Sequence, residues 1–324
     1  MSAADRASTR RPDTGSVSIT RDDVLAAAVR IEGRVRRTPL LTPAQPDAVW
    51  FKCEFLQHCG VFKTRGAFNR QLAASESGEL NDAGIVVASG GNAGLAQAYV
   101  ASRLGIKATV FVPRSAPAVK VARIRRYGAE VVHAGAEYAE AYHAAVEFGS
   151  STGATFAHAY DQPEVAAGAG TIAEEILDDE PTIDTIVVAV GGGGLYAGVA
   201  ASAHGRARVV AVEPETIPTL HDAMSAGHPV DVSVSGVAAD SLGARRIGAL
   251  AFAAQKAEKP VSVLVTDDDI VQARQELWDG YRIGSEFGAA TAYAALLSGR
   301  YVPADGERVA VVVCGANTDP TTLS

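Results

Sequence analysis

The sequence predicts an α/β protein built as two domains, each a mostly parallel twisted sheet covered by helices. Three observations predict it. Short runs rich in Val and Ile alternate with longer amphipathic segments, the pattern of parallel strands buried on both faces and joined by helices. Glycine is enriched, at 32 of 324 residues, and its clusters fall where a strand hands over to a helix. At about 150 residues per domain the length sets a prior of two domains. No internal repeat, heptad pattern or low-complexity linker argues for anything else.

The elements follow in order. Residues 1–20 are polar and are expected to be a disordered tail; Asp5 and Asp13 speak against an arginine-rich transit signal. Asp22–Val35 has helical apolar spacing (Val24, Leu25, Ala28, Ile31), with Thr20 or Asp22 as its cap, and Thr38-Pro39 ends it. Strands are then expected at Ile85–Ser89, Ala108–Val112, Glu130–His133, Thr185–Val190, Arg208–Glu213, Val261–Thr266 and Arg308–Cys314. Helices are expected at Asn92–Leu104, Ala118–Tyr127, Tyr138–Phe148, Gln162–Asp178, Leu195–His204, Asp268–Tyr281 and Gly288–Ser298. Residues 84–155 are assigned to a smaller domain, and 21–83 with 156–324 to a larger one.

Composition excludes several function classes. The net charge is −8 and no basic patch is interleaved with aromatics, so nucleic acid is not an expected partner. The longest apolar runs, Ile186–Val190 and Val309–Cys314, fall far short of the ~18–20 residues of a membrane span. Cys53, Cys59 and Cys314 form no disulfide framework, and Cys-x5-Cys is not a zinc spacing; a reducing cytoplasm is the expected compartment. The seven histidines lack metal-ligand spacing. Asp267-Asp268-Asp269 reads as an acidic helix start, and Arg123, Arg125, Arg126, Arg245 and Arg246 read as solvated faces.

Three segments can carry chemistry. In the first, the buried run Ile186–Val190 ends in Gly191, Gly192, Gly193 and Gly194, and a helix begins at Leu195. Successive bare N–H groups at a helix N-terminus form an anion cradle suited to phosphate. Gly192-x-Gly194-x-x-Ala197 followed by Glu213 also meets a loose dinucleotide fingerprint. The second segment is Phe62-Lys63-Thr64-Arg65, where a lysine sits among apolar neighbours at a helix start. Desolvation and the helix dipole both favour its neutral, Schiff-base-forming amine, although the local sequence taken alone favours a solvated helix-start lysine. The third is Ser89-Gly90-Gly91-Asn92-Ala93-Gly94, where Ser89, Asn92 and free N–H groups suit a carboxylate or phenolate oxygen.

Together these residues resemble the fold-type II pyridoxal-phosphate enzymes, specifically the serine/threonine dehydratase group, whose fold is like the tryptophan synthase β-subunit. The similarity runs from Thr38-Pro39-Leu40 to Asn317. It rests on Lys52, Glu54, Gln57, Gly60, Phe62, Lys63, Arg65, Gly66 and Ala67; on Tyr160-Asp161 and Ala167–Ile176; on Gly191–Leu195 with Val212-Glu213-Pro214; and on Cys314-Gly315-Ala316-Asn317. Several ordered motifs displace the dinucleotide reading.

The resemblance implies pyridoxal 5′-phosphate as cofactor, bound by the larger domain. Lys63 would be its Schiff-base lysine and the catalytic base. Phe62 would lie beside the ring, Asn92 on its 3′-oxygen, Gly191, Gly192, Gly193, Gly194 and Leu195 around the phosphate, and Cys314 at the pyridine nitrogen. Ser89, Gly90, Gly91, Asn92 and Ala93 would bind the substrate carboxylate. A thiol is a weak donor and leaves the ring a weaker electron sink than a carboxylate would, which suits prompt β-elimination. The implied activity is L-serine/L-threonine ammonia-lyase, giving a 2-oxo acid and ammonia, in a cytoplasmic homo-oligomer with a dimer favoured. Alternatives are a lyase or racemase on another β-hydroxy amino acid, a β-replacement synthase, or a cofactor-binding protein without turnover.

Departures from the family pattern are Val61 for serine, Ala93 for histidine, Ala169 for glutamine, and Gly90 where racemases carry a second acid/base serine. Glu213 matches one ligand of a divalent-cation site found in part of the family. The carboxylate expected six residues on is Thr219, so no metal is expected. Glu286, in a proline-free version of a family stretch, is placed at the site's edge. Only Thr318–Ser324 follow Asn317, so no C-terminal regulatory domain is expected.

Overall fold

The computed structural model describes residues 18–42 and 49–323. The tail expected over residues 1–20 therefore lies, but for its last three residues, outside the described residues. The first helix, Arg21–Ile31, opens on a capping box in which the Thr20 hydroxyl and the Asp23 carboxylate each take the other's backbone N–H.

Among the described residues, ten strands form two sheets: β1 (Leu40–Leu41), β2 (Trp50–Lys52), β3 (Ile85–Ala88), β4 (Ala108–Val112), β5 (Glu130–His133), β6 (Thr155–Phe156), β7 (Thr185–Ala189), β8 (Arg208–Pro214), β9 (Val261–Val265) and β10 (Val309–Val312). The larger sheet has the order β1-β2-β10-β7-β8-β9, the smaller β5-β4-β3-β6. Every pair is parallel except β1 with β2. All seven expected strands and all seven expected helices beyond the first are present, with ends moved by a few residues. The strands β1, β2 and β6, of two or three residues, and the helices Thr219–Ala226, Ala239–Leu242 and Ala249–Glu258 are additions, and the helix start expected at Lys63 extends over Lys63–Glu76.

The order of the larger sheet builds the site. The last strand, β10, inserts between β2 and β7, in register Val311 to Phe51 and Val311 to Val187. Because β2, β10, β7 and β8 run parallel, their carboxyl ends gather at one edge, where ligands of open α/β sheets bind. The segments leaving those ends hold Lys63, Cys314 and Gly191–Gly194, and Glu213 stands at the carboxyl end of β8 itself. A bridge between Val61 and Gly315 ties the first two together.

Two devices fix the helices behind this edge. The helix Pro163–Asp179 crosses Lys63–Glu76 and Gly194–Ala203 at glycines, so that backbones touch. A Cβ on Gly66 would stand 2.5 Å from the Val165 carbonyl oxygen, and one on Gly198 would stand 2.1 Å from that of Ala166. A buried ion cluster adds to this. Arg65 grips Glu54 through Nε and Nη2 at 2.9 and 2.8 Å and Glu175 through Nη1 and Nη2 at 2.6 and 2.8 Å. Lys52 donates to Glu175 at 2.5 Å and to the Thr38 carbonyl at 2.7 Å. The two cations and two carboxylates compensate each other within the interior.

Candidate active site

One cavity of about 650 Å³ of empty space, partly open to solvent, lies over the carboxyl edge of the larger sheet. Lys63 reaches into it from the first turn of Lys63–Glu76, and its amine has no hydrogen-bond partner among the described residues. Burial holds the amine below the usual lysine range, while Glu286 and Cys314 pull it upward. Opposite stands a relay of buried polar groups. Asn92 Nδ2 donates to Glu286 Oε1 at 2.6 Å, and Asn317 Nδ2 donates to Asn92 Oδ1 at 2.8 Å. Burial pushes the Glu286 carboxyl up to about 7, against the opposing pull of the Asn92 hydrogen bond. Burial likewise pushes the Cys314 thiol up, so it stays a neutral S–H.

The glycine loop forms the far wall. Each of its four residues must lack a side chain: a Cβ would stand 3.0 Å from Leu242 at Gly191, 2.4 Å from the Tyr160 ring at Gly192, 2.4 Å from Ala251 at Gly193 and 2.6 Å from the Tyr160 carbonyl at Gly194. Gly193 also has φ +89°, a conformation glycine adopts without strain. Among the described residues, none of the N–H groups from Gly191 to Leu195 donates to a protein acceptor. Five bare donors at the start of the helix Gly194–Ala203 are an anion site without an anion acceptor of its own. Pyridoxal phosphate fits this arrangement. The bare cradle would suit its phosphate, the Lys63 amine its aldehyde, the apolar walls of Phe62, Ala169 and Leu195 its ring, and Cys314 its nitrogen edge.

Phe62, Lys63, Asn92, Gly191–Gly194, Leu195 and Cys314, all named from sequence, line this one cavity. Ser89, Gly90, Gly91 and Ala93 do not line it. They lead into Asn92 at its edge, with the Ser89 hydroxyl accepting the Gly91 N–H at 3.2 Å. Glu286, expected at the site's edge, lines the cavity and is bonded to Asn92. Tyr160 and Asp161, noted only as a motif, acquire a physical role. The Tyr160 ring backs Gly192. The Asp161 carboxylate caps Ala249–Glu258 by accepting the N–H groups of Ala249 and Leu250 at 2.9 and 3.0 Å. Gly288, from the same stretch as Glu286, also lines the cavity, as do Ser241 and Leu242, which carried no local signal.

Arg123 corrects an expectation. It is not a solvated arginine: it is half-buried and donates to Asn317 Oδ1 at 2.5 Å and to the Thr318 carbonyl at 3.2 Å. Asp267–Asp269 do start a helix, capped by the Thr266 hydroxyl. His158, held neutral chiefly by burial, accepts the N–H groups of Tyr160 and Asp161 and shapes that turn.

Fold and site define a pyridoxal-phosphate-dependent enzyme of fold type II. A profile of the family described as pyridoxal-phosphate dependent enzyme matches residues 31–315, and the chain belongs to that family. It is 37% identical over 303 residues to the L-threonine ammonia-lyase of Geobacter sulfurreducens, covering 91% of this chain and 75% of that one. It is 35% identical over 303 residues to the phenylserine dehydratase of Ralstonia pickettii, covering 91% and 92%. Among solved structures, that of maize serine racemase superposes with a TM-score of 0.88 at 30% identity, covering 94% of this chain and 96% of the other.

Proposed function

We propose that the protein is an L-serine/L-threonine ammonia-lyase, which eliminates the β-hydroxyl and releases a 2-oxo acid and ammonia. The observation that carries the reading is the convergence of the Lys63 amine, the bare glycine cradle and a neutral thiol on one cavity. The similarity to a threonine ammonia-lyase and a phenylserine dehydratase supports the same chemistry.

When bound, pyridoxal phosphate supplies an electron-withdrawing ring that makes the α-proton of an amino acid removable. The chain's own residues do the rest. Burial favours the neutral Lys63 amine, the form able to take the α-proton. Asn92 spends one N–H on Glu286 and keeps the other for the ring's 3′-oxygen. Glu286 holds a proton beside Asn92 near neutral pH. Cys314 donates too weakly to keep the pyridine nitrogen protonated, which disfavours slow side reactions. The Ser89–Ala93 loop receives the substrate carboxylate. Gly90 has no side chain to serve as a second acid/base, which speaks against racemisation.

The four-stranded sheet, whose strands all fall between Ile85 and Phe156, supports taking 84–155 as a small substrate-loop domain, with 21–83 and 156–324 as the larger cofactor domain. A cytoplasmic homodimer is the proposed assembly; three free cysteines suit a reducing compartment, and no helix among the described residues is long and apolar enough to cross a membrane.

A coupled assay for 2-oxo acid and ammonia over a panel of L- and D-β-hydroxy amino acids tests the activity. Turnover of L-serine or L-threonine is expected. D-amino acid as the main product, or a cofactor-loaded chain that turns over no member of the panel, would overturn it. Lys63→Ala should lose both the cofactor's visible absorbance band and the activity.

A further inference from the structure

The glycine loop is also held from behind. Thr219, fully buried, places its hydroxyl 2.6 Å from the carbonyl oxygen of Gly191 and 2.9 Å from Oε1 of Glu213. Glu213, also fully buried, accepts the N–H of Leu220 on Oε1 at 2.7 Å and that of His221 on Oε2 at 2.9 Å. Proton counting orders this chain. A carbonyl can only accept, so the single hydroxyl proton of Thr219 goes to Gly191. The threonine oxygen then faces Glu213 Oε1, and two oxygens at that separation need a proton between them. It resides on the glutamic acid, giving Glu213 O–H to Thr219 O–H to Gly191 C=O. Burial, which pushes this carboxyl up to about 7, acts in the same direction.

The consequence is geometric. In a trans peptide the C=O of one residue and the N–H of the next point in opposite directions. Holding the Gly191 carbonyl behind the loop therefore aims the Gly192 N–H into the cavity. The next two carbonyls are held by backbone alone, Gly192 by the N–H of Gly248 at 3.0 Å and Gly193 by that of Ala197 at 2.8 Å. The Gly191–Gly192 peptide joins two residues without side chains, so it depends on Thr219 for its orientation. The divalent cation of some relatives does not fit here. Both oxygens of Glu213 are taken by protein donors, and no group of three His, Cys, Asp or Glu side chains that could hold a metal occurs among the described residues.

We propose that Thr219, backed by protonated Glu213, is a positioning residue that orients the Gly191–Gly192 peptide toward the cofactor phosphate, in place of a divalent cation. This rests on the reading of Gly191–Leu195 as the phosphate cradle.

The test compares cofactor release from dialysed holoenzyme, and the phosphorus-31 resonance of the bound cofactor, in wild type, Thr219→Val and Thr219→Ser. Loss of one hydrogen bond predicts release about three- to tenfold faster in Thr219→Val, with a displaced resonance. Thr219→Ser should restore both, and neither EDTA nor added magnesium should change the wild-type rate. Should Thr219→Val fail to fold, Thr219→Ala is expected to show the same faster release. Wild-type release and resonance in a folded Thr219→Val or Thr219→Ala would overturn the proposal. So would cofactor retention that falls with EDTA and returns with magnesium. A wild-type chain that takes up no pyridoxal phosphate would instead overturn the reading of the loop on which the proposal stands.

Discussion

Glu286→Gln offers a direct measure of what the site costs the fold. The carboxyl is buried and its ordinary value of 4.5 is raised to about 7. At 1.36 kcal/mol per pH unit, that displacement corresponds to about 3 kcal/mol. Below pH 4.5 the folded and unfolded chains are both protonated here and the residue contributes nothing. Between 4.5 and 7 the unfolded chain ionises while the folded one keeps its proton, so stability falls as pH rises. Above 7 the whole penalty is present. Glutamine keeps an oxygen to accept from Asn92 and does not titrate. Urea unfolding of the cofactor-free protein at pH 5 and pH 8 reads the effect. Relative to wild type, Glu286→Gln should be about 2.5 kcal/mol more favourable at pH 8 than at pH 5, where part of the penalty is already present. An equal difference at the two pH values would refute the claim that Glu286 is protonated by burial.

Other expectations follow from the same packing and charges. Arg65→Met leaves two buried carboxylates short of their partner and should cost about 3–5 kcal/mol, read from the urea midpoint; a loss below about 1 kcal/mol would show that the cluster reorganises freely. Gly193→Ala places a Cβ at φ +89° and 2.4 Å from Ala251. It should cost at least about 1 kcal/mol in unfolding free energy and weaken cofactor affinity in a titration, and unchanged values of both would contradict the fit of the loop. Burial pushes Glu174 up, but hydrogen bonds from Arg21, Ser202 and Arg206 prevail and hold it at about 2. Its stabilisation is present above pH 4.5 and is lost as pH falls from there toward 2, so Glu174→Gln should flatten acid unfolding in that window.

The parts of the site legible in the sequence are those whose chemistry is local. Four glycines between a strand and a helix, or a lysine between Phe62 and an amphipathic run, declare themselves within ten residues. Glu286 did not, because its meaning depends on Asn92, 194 positions away. Arg123 read as a surface cation for the same reason: its partner Asn317 lies equally far along the chain. Thr219 looked like the loss of a ligand until the carbonyl of Gly191 appeared beside it. Among the strands, β7 and β10 carry enough Val and Ile to be seen. In contrast, β1, β2 and β6 are too short to show alternation and owe their existence to neighbours already in place.

The glycine crossings of Pro163–Asp179 have a further implication. The helix that presents the Lys63 amine and the helix that starts at the glycine loop are both seated, backbone on backbone, against the same third helix. The span from amine to anion cradle is therefore a fixed gauge, set by main-chain contact and insensitive to rotamer choice or conservative repacking. A catalyst gauged in this way cannot exchange its cofactor for a longer or shorter one by drift in its side chains. Its evolutionary freedom lies in whatever the gauge leaves out: the Ser89–Ala93 loop, the turn bearing Ser241 and Leu242, and the stretch around Glu286. Differences in what such an enzyme acts on are then expected to be written in those three segments, over an unchanging measure between lysine and glycine loop.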